Sequence, residues 1–469
     1  MTTQDAYSKR PLIVVSNRLP VTLGPRGWQV SAGGLVTALR PVMERLSGAW
    51  VGWDGGAEVP ETVPELDIDL APIPLSRSQI QSYYHGFANR TIWPLFHDLI
   101  EPARLDRSWW RVYTQVNEKF AKAAAALPQV NDKGLLWVQD YHLMLVPGLL
   151  REQLSHSPIG FFLHIPWPPP ELFSRLPWRE TLLRGVLGAD VVSFHTERYR
   201  KNFARTCARL LPEATVRGRT IVLEEGRKVV TADHPISIDA QEYAGLARSD
   251  EVRSLLRRLR TQYVGRTVLL GVDRLDYTKG ILERLKAFEN LLERRPDLRH
   301  KLALVQIAVP SREAVTEYRE LRAAIEQAVG RINGAFTELG RDVPVHYIHR
   351  SIPRPRLVAF YLLADVMLVT PLKDGMNLVA KEYVASQQAG GGFGVLVLSE
   401  FTGAALELDR AVECNPFDVE GLSHRIEHAL EIKPEMRRED LAIMARRVQR
   451  NDVYRWVRQE LATIDDAAT

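Results

Sequence analysis

The chain has 469 residues, enough for two or three domains, and its 45% apolar and 25% charged content is that of an ordinary soluble globular protein. A net charge of +4 is small for this length. It argues against a nucleic acid as the main partner and leaves room for small anions held by local Arg and Lys. Only Cys207 and Cys414 occur, far apart and without metal-ligand spacing, so no disulfide framework is expected and a reducing cytoplasm is the simplest compartment.

Residues 1–10 are polar, and Leu12–Val15 is too short for a signal-peptide core. No stretch approaches the roughly 18 apolar residues of a membrane helix, so no membrane partner is expected. Leu12–Val15 reads as a buried strand ended by Ser16-Asn17-Arg18. After an excursion through Gly24, Pro25 and Gly27, Ser31-Ala32-Gly33-Gly34 opens a helix with Leu35, Leu39, Val42, Met43 and Leu46 on one face. A strand, a glycine pair and a helix start suit an anion or sugar, although glycine pairs also serve plain close packing. Trp50–Trp53 is the next strand. The proline-bearing run over 59–75 suits a sheet edge, and its Asp67-Ile68-Asp69 reads as two outward acids rather than a metal motif. Tyr83–Pro94 is dense in aromatic and polar groups without clean periodicity, which fits either a sugar-binding surface or an aromatic core cluster.

From residue 134 the pattern is regular. Strands at Leu135–Val138, Ile159–Leu163 and Asp190–Phe194 end in Gln139-Asp140-Tyr141-His142, His164 and His195, with helices between them. Such alternation predicts a parallel, doubly wound sheet whose carboxyl ends line a cleft. Residues 219–232 read as a hairpin, and the boundary between domains is expected near 240.

The second half repeats this logic. Thr267–Val272 ends in Asp273-Arg274-Leu275-Asp276-Tyr277-Thr278-Lys279-Gly280, and Leu302–Ala308 ends in Pro310-Ser311-Arg312. A helix then buries Val315, Tyr318, Leu321, Ile325 and Ile332. Val345–Ile348 and Val395–Leu398 are further strands. Between them Val366–Val369 is a buried strand, Pro371 ends it, and Asp374-Gly375 turns the chain into a helix from Asn377. Asp374 and Glu382 thus sit where ligands bind in open α/β sheets. Arg274, Lys279 and Arg312 place three cations at neighbouring strand ends, an arrangement suited to a diphosphate whose charge grows as a glycosyl bond breaks. Neither a Walker lysine nor a dinucleotide glycine fingerprint is present. Residues 419–464 read as helical, with Trp456 and Val457 able to dock the tail on the first domain.

These blocks carry a resemblance. Ser16-Asn17-Arg18, Ser31–Leu35, Asp140–Leu143, Phe162–Pro166, Asp273–Gly280 and Asp374–Glu382 resemble the trehalose-6-phosphate synthase family, in its order and spacing, from about residue 11 to about 455. The resemblance implies a retaining glycosyltransferase of the GT-B fold, α/β with two Rossmann-like doubly wound domains facing across a cleft. It implies an acceptor domain over 1–240, a nucleotide-sugar domain over 241–450, and a tail over 451–469 docked on the first. Glucose would pass from a nucleotide-diphosphate glucose, UDP-glucose by default and GDP- or ADP-glucose as alternatives, to glucose-6-phosphate. No cofactor or metal is implied, and homo-oligomerisation stays open.

By the same resemblance, Arg18, Tyr84, Trp93 and Arg312 grip the acceptor phosphate, and Gly34 approaches the donor. Asp140 and His164 lie at the reacting sugars, with Asp140 also on the acceptor. Arg274 and Lys279 clamp the diphosphate. Asp374 and the backbone of Gly375, Met376, Asn377 and Leu378 hold the donor glucose and phosphate, and Glu382 takes the ribose. Gln139 stands where many relatives carry His and is expected only to pack. The alternatives are an inactive regulatory homologue, which the intact Arg274, Lys279, Asp374 and Glu382 oppose, and a synthase of the same fold with another acceptor.

Overall fold

Runs of β-branched and aromatic residues, each stopped by a polar corner, set the strand positions, and both faces of most strands are buried, as parallel sheets require. The computed structural model describes residues 10–24, 27–30, 36, 39, 43, 44, 46, 48–56, 66–101, 103–131, 133–312, 315–338 and 340–468. The chain forms two units, Met1–Ile236 with Val453–Thr469, and Ser237–Asp452.

In the first unit β1 (Leu12–Arg18) leads to a small hairpin of β2 (Val21–Gly24) and β3 (Gly27–Val30). Then come β4 (Ala49–Trp53), β5 (Asp69–Ile73), β6 (Leu135–Gln139), β7 (Ile159–Phe162), β8 (Val191–Phe194), β9 (Thr215–Arg217), β10 (Thr220–Val222) and β11 (Lys228–Asp233). The sheet order is β5-β4-β1-β6-β7-β8-β11-β10-β9, parallel from β5 to β11 and antiparallel beyond. The chain runs from β1 towards one edge and returns to pair β6 on the other side of β1. That reversal is a topological switch point, where a crevice opens at the strands' carboxyl ends. Pro72 lies in edge strand β5, where its missing N–H costs no ladder bond, and Asp67 and Asp69 face outward.

Two long helical stretches here lie between β5 and β6. Ile80–Ile92 is a π-helix, whose i→i+5 bonding explains the absence of an α-helical stripe in this aromatic segment. Arg107–Ala125 is an α-helix started by Asp106, whose Oδ1 accepts from the amides of Ser108 and Trp109. The tail helix Val453–Ala468 packs on the same unit: Trp456 is 1% exposed against Trp137 of β6 and Phe162 of β7. A Cβ at Gly160 would lie 2.3 Å from Ile464 Cδ1, so a glycine in β7 makes room for this helix. His234 Nδ1 meets the buried Glu460 Oε1 at 2.6 Å.

The second unit has six parallel strands, β12 (Thr267–Arg274), β13 (Leu302–Val309), β14 (Val345–Ile348), β15 (Val366–Val369), β16 (Val395–Ser399) and β17 (Val412–Cys414). Their order is β14-β13-β12-β15-β16-β17, so the switch point lies between β12 and β15. Leu269, Leu304, Leu368 and Val397 from the strands and Phe288, Leu291, Ile325, Leu422 and Ile426 from the helices belong to one buried core. No described helix is long and apolar enough to cross a membrane.

Candidate active site

The second unit builds its site from two turns beside its switch point. After β12, Asp276 caps a 3₁₀ turn, Tyr277–Lys279, by accepting from Thr278 N at 3.0 Å. Gly280 follows at φ 61°, and a Cβ there would lie 2.1 Å from Thr370 O, so only glycine lets this turn pass the end of β15. The result brings Lys279 Nζ to 2.6 Å from Asp374 Oδ2, with both side chains largely shielded from water. Asn377 Nδ2 donates to the same oxygen at 3.1 Å. Asn377 also caps the helix Leu378–Ala389 from a left-handed φ of 75°, a conformation Asn tolerates better than most residues.

The Asp374 turn is pinned from the β16 side as well. Asp374 N donates to Phe401 O at 3.1 Å and Ala404 N to Met376 O at 2.9 Å. A Cβ at Gly403 would come within 2.3 Å of Gly375 O, so two glycines let the loops touch. One turn into the helix, Lys381 is fully buried with Glu407 at 3.0 Å. Glu382 lies beside it, its Oε2 accepting from Tyr361 at 2.7 Å. Burial pushes the Glu382 carboxyl above the usual range, against the hydrogen bonds from Tyr361 and Tyr243.

Under this floor, Arg284 is 0% exposed. Its Nη1 reaches Asp273 Oδ2 at 2.6 Å and Gln306 Oε1 at 2.7 Å, and its Nε reaches Thr370 Oγ1 at 3.1 Å. One guanidinium thereby ties the carboxyl ends of β12, β13 and β15. A Cβ on Gly271 would sit 2.3 Å from Arg284 Nη1, so Gly271 provides the space.

Each expected cation of this unit is at the carboxyl end of the sheet, in a different setting. Arg274 is exposed, and Lys279 is paired with Asp374. Arg312, at φ 50°, turns its side chain inward, with Nη1 3.2 Å from Asp276 Oδ2. Burial would push the Asp276 carboxyl up, but Arg312, Arg274, Lys279 and the Thr278 amide together hold it below the ordinary value.

In the first unit the residues again gather at the switch point. Arg18 ends β1 with its guanidinium over two rings, 4.7 Å from the Trp53 centroid and 5.5 Å from that of Tyr84. Tyr84 in turn stacks on His142 at 5.7 Å. Trp93 is only 4% exposed and lies against His97 and Tyr141. Gly34 and its neighbours in the Ser31–Leu35 block lie outside the described residues.

Asp140 follows β6 at φ 72°, a rare conformation for a non-glycine residue. Its surroundings enforce it: Asp140 N donates to Phe162 O at 2.7 Å, and its Oδ1 accepts from His164 N at 3.2 Å. The helix Arg107–Ala125 grips the next residues, with Tyr113 OH on Tyr141 O and Asn117 bridging His142 O and Leu145 N. His164 Nε2 lies 2.9 Å from Gln139 Oε1. Gln139 therefore does more than pack: it hydrogen-bonds the neighbouring imidazole and holds its tilt.

Burial pushes His164 down to about 3. The unfolded value is near 6.5, so its contribution to stability is complete above about pH 6.5 and is lost as pH falls towards 3. Imidazole NMR is expected to show a neutral ring from pH 5 to 8. A titration inside that range would contradict this placement.

Sequence reasoning missed Trp53 as the platform for Arg18, Asp276 as the partner of Arg312, and Gln139 as the partner of His164. Asp276 alone left a usable signal, an acid midway between two candidate phosphate-binding cations.

The whole chain has close relatives. The model of glycosyltransferase family 20 matches residues 10–466. A trehalose-6-phosphate synthase of Mycobacterium avium (strain 104) is 46% identical over 480 residues, covering 98% of this chain and 96% of that one. A UDP-forming α,α-trehalose-phosphate synthase from Burkholderia xenovorans, solved in complex with glucose-6-phosphate, is similar with TM-score 0.87 and 34% identity over 97% of this chain and 100% of that one. An E. coli structure bound with UDP-2-fluoro glucose is similar with TM-score 0.88 and 35% identity, covering 98% and 99% of the two chains. Two parallel-sheet units, each with its residues gathered at a switch point, and a match to relatives over nearly the whole chain in sequence and fold mean that this chain belongs to glycosyltransferase family 20, the trehalose-6-phosphate synthases.

Proposed function

We propose that the chain transfers glucose from UDP-glucose to the anomeric hydroxyl of glucose-6-phosphate, with retention, releasing UDP and α,α-trehalose 6-phosphate. The observation that carries this reading is Lys279 held 2.6 Å from Asp374 beside exposed Arg274, at the carboxyl end of a parallel sheet. These are the groups a sugar diphosphate needs: cations for the oxygens that gain charge and a carboxylate for sugar hydroxyls. The named relatives supply the substrates, UDP formation and glucose-6-phosphate in one and a UDP-glucose analogue in another.

In this mechanism the bond between glucose C1 and the β-phosphate oxygen breaks first, leaving an oxocarbenium-like sugar. The acceptor hydroxyl attacks on the same face, and its proton passes to the departing phosphate oxygen. Arg274 and Lys279 stabilise the charge on that oxygen without calling on a metal. Arg18 and Arg312 hold the acceptor phosphate, and Tyr84 and Trp93 shape its surroundings. Asp374, with the backbone from Gly375 to Leu378, orients the donor glucose. Glu382 takes the ribose, and Asp140 and His164 bind the reacting sugars. The first unit is then the acceptor domain and the second the donor domain of a cytoplasmic enzyme.

Incubation with glucose-6-phosphate and each of UDP-, GDP- and ADP-glucose, with nucleoside diphosphate as the readout, tests the reading. Release is expected to be fastest with UDP-glucose. No release with any donor would sink it, and equal rates with free glucose would point to a different acceptor. A covalent glucosyl adduct trapped on Asp140 or Asp374 would replace the same-face mechanism by double displacement.

A further inference from the structure

Asp276 touches no substrate in the reading above, yet it sits in the middle of the cation set. It lies two residues after Arg274 and three before Lys279, is 0% exposed, and uses both carboxylate oxygens. Oδ1 accepts from Thr278 N at 3.0 Å and from Thr278 Oγ1 at 2.9 Å. Oδ2 accepts from Arg312 Nη1 at 3.2 Å and from Tyr318 OH at 3.0 Å. Tyr318 OH also receives a hydrogen bond from Arg312 Nη1, closing a three-membered ring of buried partners.

We propose that Asp276 is a positioning residue that aims Arg312, so that the protein's preference for a phosphorylated acceptor depends on this buried carboxylate. The inference rests on the reading of Arg312 as an acceptor-phosphate cation. Three observations support it. Arg312 holds a left-handed φ of 50°, which a non-glycine residue keeps only when its surroundings compensate the strain. Asp276 and Tyr318 hold the residue at its side-chain end, and Val315 N donates to its carbonyl at 2.9 Å. The carboxylate belongs to the turn that carries Lys279, so the end of β13 is fixed against the turn after β12. Finally, a fork-shaped guanidinium held by a buried carboxylate is pre-oriented, and less freedom is lost when it meets a phosphate.

Asp276→Asn keeps the volume and an acceptor for Thr278 but removes the charge that holds Arg312. The expected result is a KM for glucose-6-phosphate raised by about tenfold or more, the loss that goes with a charged hydrogen bond. The KM for UDP-glucose should move less than threefold, by the same energy scale. The preference for glucose-6-phosphate over free glucose should fall in proportion. Tyr318→Phe, which leaves the charge in place, should shift the same ratio in the same sense by a smaller factor, and it carries the test if Asp276→Asn does not fold. Equal loss for both substrates, or an unchanged acceptor preference in both variants, overturns the proposal. If the unaltered protein does not turn over glucose-6-phosphate at all, the functional reading fails. Calorimetry with inorganic phosphate then decides the present inference separately: weaker binding by Asp276→Asn upholds it, and unchanged binding overturns it.

Discussion

Lys279→Ala is expected to lower kcat by about 10³-fold, while the folded protein still binds donor nucleotide. The size follows from removing a preorganised charge from a largely water-excluded site where negative charge develops, a change that typically costs a factor of 10²–10³ or more. In this structure the loss has a second part. Lys279 is also the 2.6 Å partner of Asp374, so the alanine removes the ammonium from beside a carboxylate already shielded from water. The negative charge of Asp374 would then face the departing phosphate without that ammonium to offset it. Lys279→Arg should recover only part of the rate, because a planar fork does not reproduce a compact ammonium. Single-turnover measurements with saturating substrates would isolate the chemical step. Near-normal turnover in the alanine variant would remove Lys279 from the mechanism.

Arg284→Met is expected to destabilise the second unit by roughly 3–5 kcal/mol, the usual cost of stranding one partner of a buried ion pair. The stranded groups are Asp273, whose side chain is 3% exposed, and Gln306, which is fully buried. Asp273→Asn added to Arg284→Met should recover part of the loss, since it removes the uncompensated charge. Urea unfolding of the three variants measures both effects. If the single variant unfolds at the same denaturant concentration as the unaltered protein, the network contributes nothing to stability. The location makes the network relevant to chemistry as well as to stability. Asp273 is drawn below the sheet end, and the next residue, Arg274, is exposed, as strand alternation requires.

Much of this architecture was legible in the residues, and the reasons are local. The parallel strands announce themselves because burial on both faces demands continuous apolar runs, as in Leu12–Val15 and Val366–Val369. The Asp374–Glu382 turn was legible because a proline, an Asp-Gly pair and helical composition follow one another in the chain. The segment Tyr83–Pro94 resisted because the hydrophobic pattern of a π-helix matches neither the period of an α-helix nor that of a strand. Strand order is a long-range property. Nothing local says that β1 lies between β4 and β6, and so nothing local puts Trp53 under Arg18. The Gln139–His164 contact failed to appear for the same reason, since the two residues are 25 positions apart, one ending β6 and the other just beyond the neighbouring β7.

The helix Val453–Ala468, seated in the space left by Gly160, has a consequence for how the protein is made. During synthesis the strands β6 and β7 emerge early, with the hydrophobic faces of Trp137 and Phe162 awaiting Trp456. The second unit is translated completely before that partner leaves the ribosome. The first unit to be started is thus the last to be finished, and a nascent chain must keep an apolar face unaggregated while a whole domain is synthesised and folds behind it.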